Sequence, residues 1–142
     1  MQSVGFVGLG AMGAPMAWNV NEAGYPLTVY NRSQSRTEPF ADAGVPVAAS
    51  AREATADAEV TIIMVTDDEA LEAVLDGEDG VLAAVDDETT VIQMSTVSPD
   101  ATAAAASAVE ARGGRFVDAP VSGTVGPAEA GTLTVLAGGE DA

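Results

Sequence analysis

Val4-Gly5-Phe6-Val7-Gly8-Leu9-Gly10-Ala11-Met12-Gly13 decides the fold of this chain, because an apolar run enters three spaced glycines. Ala14-Pro15-Met16-Ala17-Trp18-Asn19-Val20 then follows with a helical pattern, so the glycines sit at a strand-to-helix turn. In a dinucleotide fold the first glycine makes the tight turn, the second lets backbone approach the pyrophosphate, and the third lets helix pack on strand. The exposed N–H groups at the helix start meet the anion. The expected pyrophosphate loop is therefore Gly8, Leu9, Gly10, Ala11, Met12 and Gly13.

A second strand-like run, Tyr25-Pro26-Leu27-Thr28-Val29-Tyr30, ends at Asn31-Arg32-Ser33. An NAD site carries an Asp or Glu at this point to accept from the ribose 2′-hydroxyl. Here the residue is neutral and an arginine follows, so no carboxylate repels a 2′-phosphate. The Arg32 guanidinium offers it a planar fork, with Asn31 and Ser33 as further donors. NADP(H) is expected over NAD(H).

The 142 residues suit one domain with a real core. No run is apolar and long enough to span a membrane, and no signal-peptide pattern precedes the first strand, so a cytoplasmic protein is expected. Cysteine and histidine are both absent, which removes thiolate chemistry and the commonest general base, and no metal site is expected. Acidic residues number 22 against 5 basic ones, all arginine, for a net charge of −17. Such a field repels nucleic acid and anionic membrane, so neither is an expected partner. The acids cluster in Asp67-Asp68-Glu69, Glu78-Asp79 and Asp86-Asp87-Glu88, where helix starts and loops are predicted. A solvated acidic surface adapted to molar salt fits this pattern.

Strand and helix patterns alternate along the rest of the chain. Helices are predicted over Gln34 to Ala43, Ala51 to Ala58, Asp67 to Leu75, Val81 to Val85, and from the Ser98-Pro99-Asp100 cap to Arg112. Strands are predicted at Val45 to Val47, Val60 to Val65, Thr89 to Met94, Arg115 to Asp118 and Thr132 to Ala137. This rhythm predicts a Rossmann-type α/β fold, a doubly wound and mainly parallel sheet with helices on both faces. Ligands bind such sheets beyond the carboxyl ends of the strands. Those ends present Thr66 and Asp67, then Ser95 and Thr96, then Ala119-Pro120-Val121-Ser122-Gly123. Ser95 is expected in the N-cap region of the next helix, and Thr96 beside a nicotinamide ribose. Ser122-Gly123 reads equally well as a carboxylate anchor or as a glycine turn.

The stretch Val7 to Asn19 closely resembles the N-terminal signature of the β-hydroxyacid dehydrogenases, the family of 3-hydroxyisobutyrate dehydrogenase and a relative of 6-phosphogluconate dehydrogenase. Asp118 to Gly123, with Gly126 and Ala130-Gly131-Thr132-Leu133, resembles that family's substrate-binding segment. The resemblance implies that Met64 and Val65 line the adenosine side with Thr66 next to them, that Thr96 contacts the cofactor, and that Ser122 and Gly123 anchor a substrate carboxylate. Thr124 completes that segment where members commonly carry a second glycine. The resemblance also implies a following all-helical domain that carries a catalytic lysine and builds a homo-oligomer. No lysine occurs in these 142 residues, so the chain is expected to be a dinucleotide-binding domain, catalytically incomplete by itself.

Three functions fit this reading. The first is hydride transfer to or from a 3-hydroxy acid, the second reduction of an imine or semialdehyde, and the third a non-catalytic NADP-binding sensor. The charge generates a first test. Screening at about 1 M salt shortens the Debye length to about 3 Å and removes most self-repulsion. The melting temperature should therefore rise clearly between dilute buffer and molar potassium chloride. A melting temperature independent of salt would leave the halophilic reading without support.

Overall fold

Val4 to Val7 are buried at every position, which a strand shows only when both faces of its sheet are covered. The computed structural model, which describes residues 2–122, 134–135 and 138–139, places this strand, β1 (Val4–Val7), inside the sheet. It is followed by α1 (Gly13–Glu22), β2 (Leu27–Tyr30), α2 (Glu38–Asp42), α3 (Ala51–Ala56) and β3 (Val60–Ile63). Then come α4 (Asp68–Leu75), β4 (Thr90–Gln93), α5 (Pro99–Ala111) and β5 (Arg115–Asp118). Three two-residue strands follow among the described residues: β6 (Val121–Ser122), β7 (Thr134–Val135) and β8 (Gly138–Gly139).

The sheet order is β2-β1-β3-β4-β5-β8, with the first five strands parallel and β8 antiparallel to β5. This is the expected Rossmann-type α/β fold, since strand order reverses on either side of β1. Its register is level. Tyr30, Val7, Ile63, Gln93 and Asp118 are successive partners, so five strands finish in one row.

Helices cover both faces. On one, Leu27, Val29 and Phe6 meet Met16 and Ala17 of α1 and Phe40 of α2, with the Trp18 and Phe40 rings stacked at 4.1 Å. On the other, Val7, Ile63, Val91 and Phe116 meet Ala54 of α3, Leu71 and Leu75 of α4, and Ala105 and Val109 of α5. One close approach sets the position of α3. A side chain on Gly5 would begin 2.3 Å from the Ala54 carbonyl oxygen, so that helix lies directly on the β1 backbone.

Four predicted elements differ in detail. The helix expected over Gln34 to Ala43 is a 3₁₀ turn, Gln34–Arg36, followed by α2. The break falls at Thr37, whose hydroxyl donates to the Gln34 carbonyl at 2.6 Å, and Pro39 has no N–H to continue the earlier turn. The strand expected at Val45 to Val47 reduces to one parallel bridge, Val29 with Val47, because Pro46 gives the sheet only its carbonyl. Val81 to Ala84 is a 3₁₀ turn, too short to propagate an α-helix. Of the strand expected over Thr132 to Ala137, Thr134–Val135 pairs with β6; the rest lies outside the described residues.

Gly5→Ala should destabilise the fold by roughly 1–3 kcal/mol, since the added methyl meets backbone that must shift. Chemical denaturation measures this. An unchanged midpoint would mean that α3 does not lie this close to β1 in solution.

Candidate dinucleotide site

The three glycines of the loop have three different surroundings. Gly8 has φ +106, which L side chains avoid, and its missing Cβ would stand 2.0 Å from the Met64 carbonyl oxygen. At Gly13 a Cβ would stand 2.0 Å from the Gly8 carbonyl oxygen. Both contacts draw β1, α1 and β3 together. Gly10 differs, since a Cβ there would meet nothing within 4 Å. Protein packing does not require its lack of a side chain, and the space kept free lies at the mouth of a helix.

That helix end is prepared for an anion. Ser50, Asp67 and Ser98 cap α3, α4 and α5 with their side chains, and each of those helices has an acid in its first turn. The start of α1 has neither, although the chain carries 22 acids. Met12 occupies the cap position without a side-chain bond, and among the described residues no acceptor meets the Ala11 and Met12 N–H groups. Free N–H groups, a positive helix end and an open cradle at Gly10 fit a pyrophosphate.

Asn31 joins this loop to the end of β2. Its Oδ1 accepts from Leu9 N–H at 2.9 Å and its Nδ2 donates to the Ser33 carbonyl at 3.0 Å. One amide hydrogen remains for a ligand. Ser33 shares a 3.0 Å hydroxyl contact with Ser35. Arg32 is exposed and has no hydrogen bond or ion pair among the described residues, so its fork is uncommitted. A cavity of about 270 Å³ gathers Gly8, Gly10, Arg32, Met64, Val65 and Thr66 on its wall. A second, of about 450 Å³, is lined by Tyr30, Asn31 and Arg32 together with Glu38 and Glu53. Leu9 is buried and Met12 half-buried, so these two residues build the loop and Ala11 faces solvent.

Thr96 is exposed just past the end of β4. Ser95 is not a helix cap, contrary to expectation, because Ser98 caps α5 through Ala101 N–H at 3.1 Å. Ser95 is buried instead. Its hydroxyl accepts from Val65 N–H at 2.8 Å, its own N–H donates to Gln93 Oε1, and Gln93 Nε2 is buried without a partner among the described residues. A further contact crosses between the same loops. Asp68 accepts from Ser98 N–H at 2.8 Å and from the Ser98 hydroxyl at 2.6 Å. No local signal gives this pair away, because its members stand 30 residues apart.

Both bonds from Ser98 hold the Asp68 carboxyl below the usual carboxylate range. A depressed folded pKa contributes stability above the unfolded value, which is lost as pH falls through the folded one. At the end of β5, burial pushes the Asp118 carboxyl up. Ser122 pairs through its backbone with Thr134, while Gly123 and Thr124 lie outside the described residues.

The sequence profile for the NAD binding domain of 6-phosphogluconate dehydrogenase matches residues 3–142. The NAD-dependent L-serine dehydrogenase of Pseudomonas aeruginosa is 41% identical over 140 residues, which are 99% of this chain and 47% of that protein. The solved structure of Mycobacterium tuberculosis 3-hydroxyisobutyrate dehydrogenase with L-serine aligns at a TM-score of 0.91 and 36% identity, over 99% of this chain and 47% of that one. Psf3 in complex with NADP+ and 2-OPP aligns at 0.90 and 28% identity, over 96% and 49%. The chain thus spans about half the length of the proteins it matches.

The contrast between Gly10 and Gly13 is testable. Gly10→Ala should leave stability within about 1 kcal/mol of the parent, because the methyl enters open space. Gly13→Ala should cost roughly 1–3 kcal/mol through its contact with the Gly8 carbonyl. In calorimetric titration Gly10→Ala should weaken dinucleotide binding by about ten-fold or more, a loss of about 1.4 kcal/mol. Unchanged affinity in that variant would remove the pyrophosphate from the Gly10 cradle.

Proposed function

The chain belongs to the family of the NAD binding domain of 6-phosphogluconate dehydrogenase, and from that premise we propose that it holds NADP(H) for hydride exchange with a small 3-hydroxy acid. The observation that carries the cofactor reading is the neutral, uncapped start of α1 facing the open Gly10 cradle. Bound there, a nicotinamide dinucleotide supplies the hydride donor or acceptor. The chain's own residues bind and orient. Ala11 and Met12 N–H groups receive the pyrophosphate, and Met64 and Val65 offer apolar contact to the adenosine half. Arg32 and Ser33 receive the 2′-phosphate, with the spare Asn31 amide hydrogen as a third donor. Thr96 offers its hydroxyl to the nicotinamide half.

A 3-hydroxy acid is supported by the relatives, a serine dehydrogenase and a 3-hydroxyisobutyrate dehydrogenase, since L-serine and 3-hydroxyisobutyrate both pair a carboxylate with a carbinol. We assign the carboxylate to Ser122, Gly123 and Thr124, and the proton exchange at the hydroxyl to a group outside these 142 residues, which contain neither lysine nor histidine. The reading further includes a homo-oligomeric full protein in a salt-rich cytoplasm, without nucleic-acid or membrane partners.

The preference for NADP(H) rests on Arg32. A charged hydrogen bond of about 1.5–3 kcal/mol corresponds to about a 10- to 150-fold preference before the acidic surface is taken into account. Calorimetric titration in molar salt should give NADP+ at least several-fold tighter binding than NAD+. Arg32→Ala should abolish most of the difference by weakening NADP+ alone. Equal affinities in the parent chain would favour NAD(H), the cofactor named for the Pseudomonas aeruginosa serine dehydrogenase.

A further inference from the structure

The parallel register of β3 and β4 ends at Ile63 with Gln93, and beyond it the two chains separate into different loops. One leads through Met64, Val65 and Thr66 to α4, the other through Ser95 and Thr96 to α5. Two side-chain contacts cross the gap. Ser95 receives Val65 N–H at 2.8 Å, and Asp68 receives both the N–H and the hydroxyl of Ser98. Neither helix needs the second contact for capping. Asp67 already accepts from Ala70 N–H at the start of α4, and Ser98 accepts from Ala101 N–H at the start of α5. An exposed carboxylate in a chain of net charge −17 is nonetheless held in one position against another loop.

We propose that these two contacts form a clamp, with Asp68 and Ser95 as positioning residues that set the distance between the adenosine and nicotinamide halves of the dinucleotide site. The inference rests on the cofactor reading above. The buried Gln93 supports it from beneath, because its Oε1 holds Ser95 N–H and thereby aims the Ser95 hydroxyl at Val65. With the clamp closed, Val65 on the cavity wall and exposed Thr96 keep a fixed separation. A ligand that touches only one loop is indifferent to that separation, whereas one that spans both is not.

Asp68→Ala breaks the exposed half of the clamp and leaves both helix caps in place. Asp68→Asn keeps an acceptor for Ser98 N–H while removing the same charge. Each is titrated with NADP+, which spans both loops, and with adenosine 2′,5′-bisphosphate, which reaches only the first. Asp68→Ala should bind NADP+ about five-fold more weakly while the bisphosphate stays within about two-fold, and Asp68→Asn should recover most of the loss. Removing a negative charge by itself favours both anions, so the expected loss runs against simple electrostatics. Parallel weakening of both ligands would make Asp68 merely structural, and no weakening of NADP+ would make the clamp irrelevant; either result overturns the proposal. If the unaltered chain binds neither ligand, the cofactor reading fails and the clamp with it.

Discussion

Two carbonyl oxygens, of Gly8 and Met64, occupy the space that side chains on Gly13 and Gly8 would need. Backbone therefore meets backbone where β1, α1 and β3 converge, and the positions of all three depend on those missing atoms. A Cβ at either glycine would drive the start of α1 off the strands and carry the Ala11 and Met12 amides with it. The same economy recurs at Gly5, where α3 rests on the strand. With the sheet pinned at β1 from both sides, five strands end in a level row and the loops that follow share one edge.

Charge distribution matters as much as packing. The chain places acids at the cap or in the first turn of α3, α4 and α5, which gains helix stability from the dipole at those sites. It leaves the start of α1 neutral and, among the described residues, Arg32 uncommitted. An anion approaching this surface thus meets general repulsion and one local attraction, and the balance between them changes with ionic strength.

Features encoded locally were legible in the sequence. The glycine turn between β1 and α1, the Ser98 cap and the end of α5 near Arg112 all follow from short-range pattern, and the structure has them where expected. Features that join distant segments were not. Gly5 read as one more member of an apolar run, since nothing nearby announces a helix 50 residues later lying on it. Ser95 read as a cap because a serine before a helix usually is one, and its partner Val65 is 30 residues away. The helix over Gln34 to Ala43 was broken by a single threonine hydroxyl that periodicity does not weigh. At the site, the identities of the loop residues were legible, while the division of labour among the glycines required their surroundings.

The two-ended grip of Asn31 has an evolutionary consequence. Because its oxygen holds the Leu9 amide while its nitrogen holds Ser33, drift at this position is not free: a small or apolar replacement leaves the phosphate loop with an unanswered N–H. Aspartate is the exception. It retains the acceptor for Leu9, releases the Ser33 turn, and sets a carboxylate where a 2′-phosphate would sit. Asn and Asp codons differ by one base, so a lineage carrying this clip stands one mutational step from a one-ended grip that still answers the Leu9 amide.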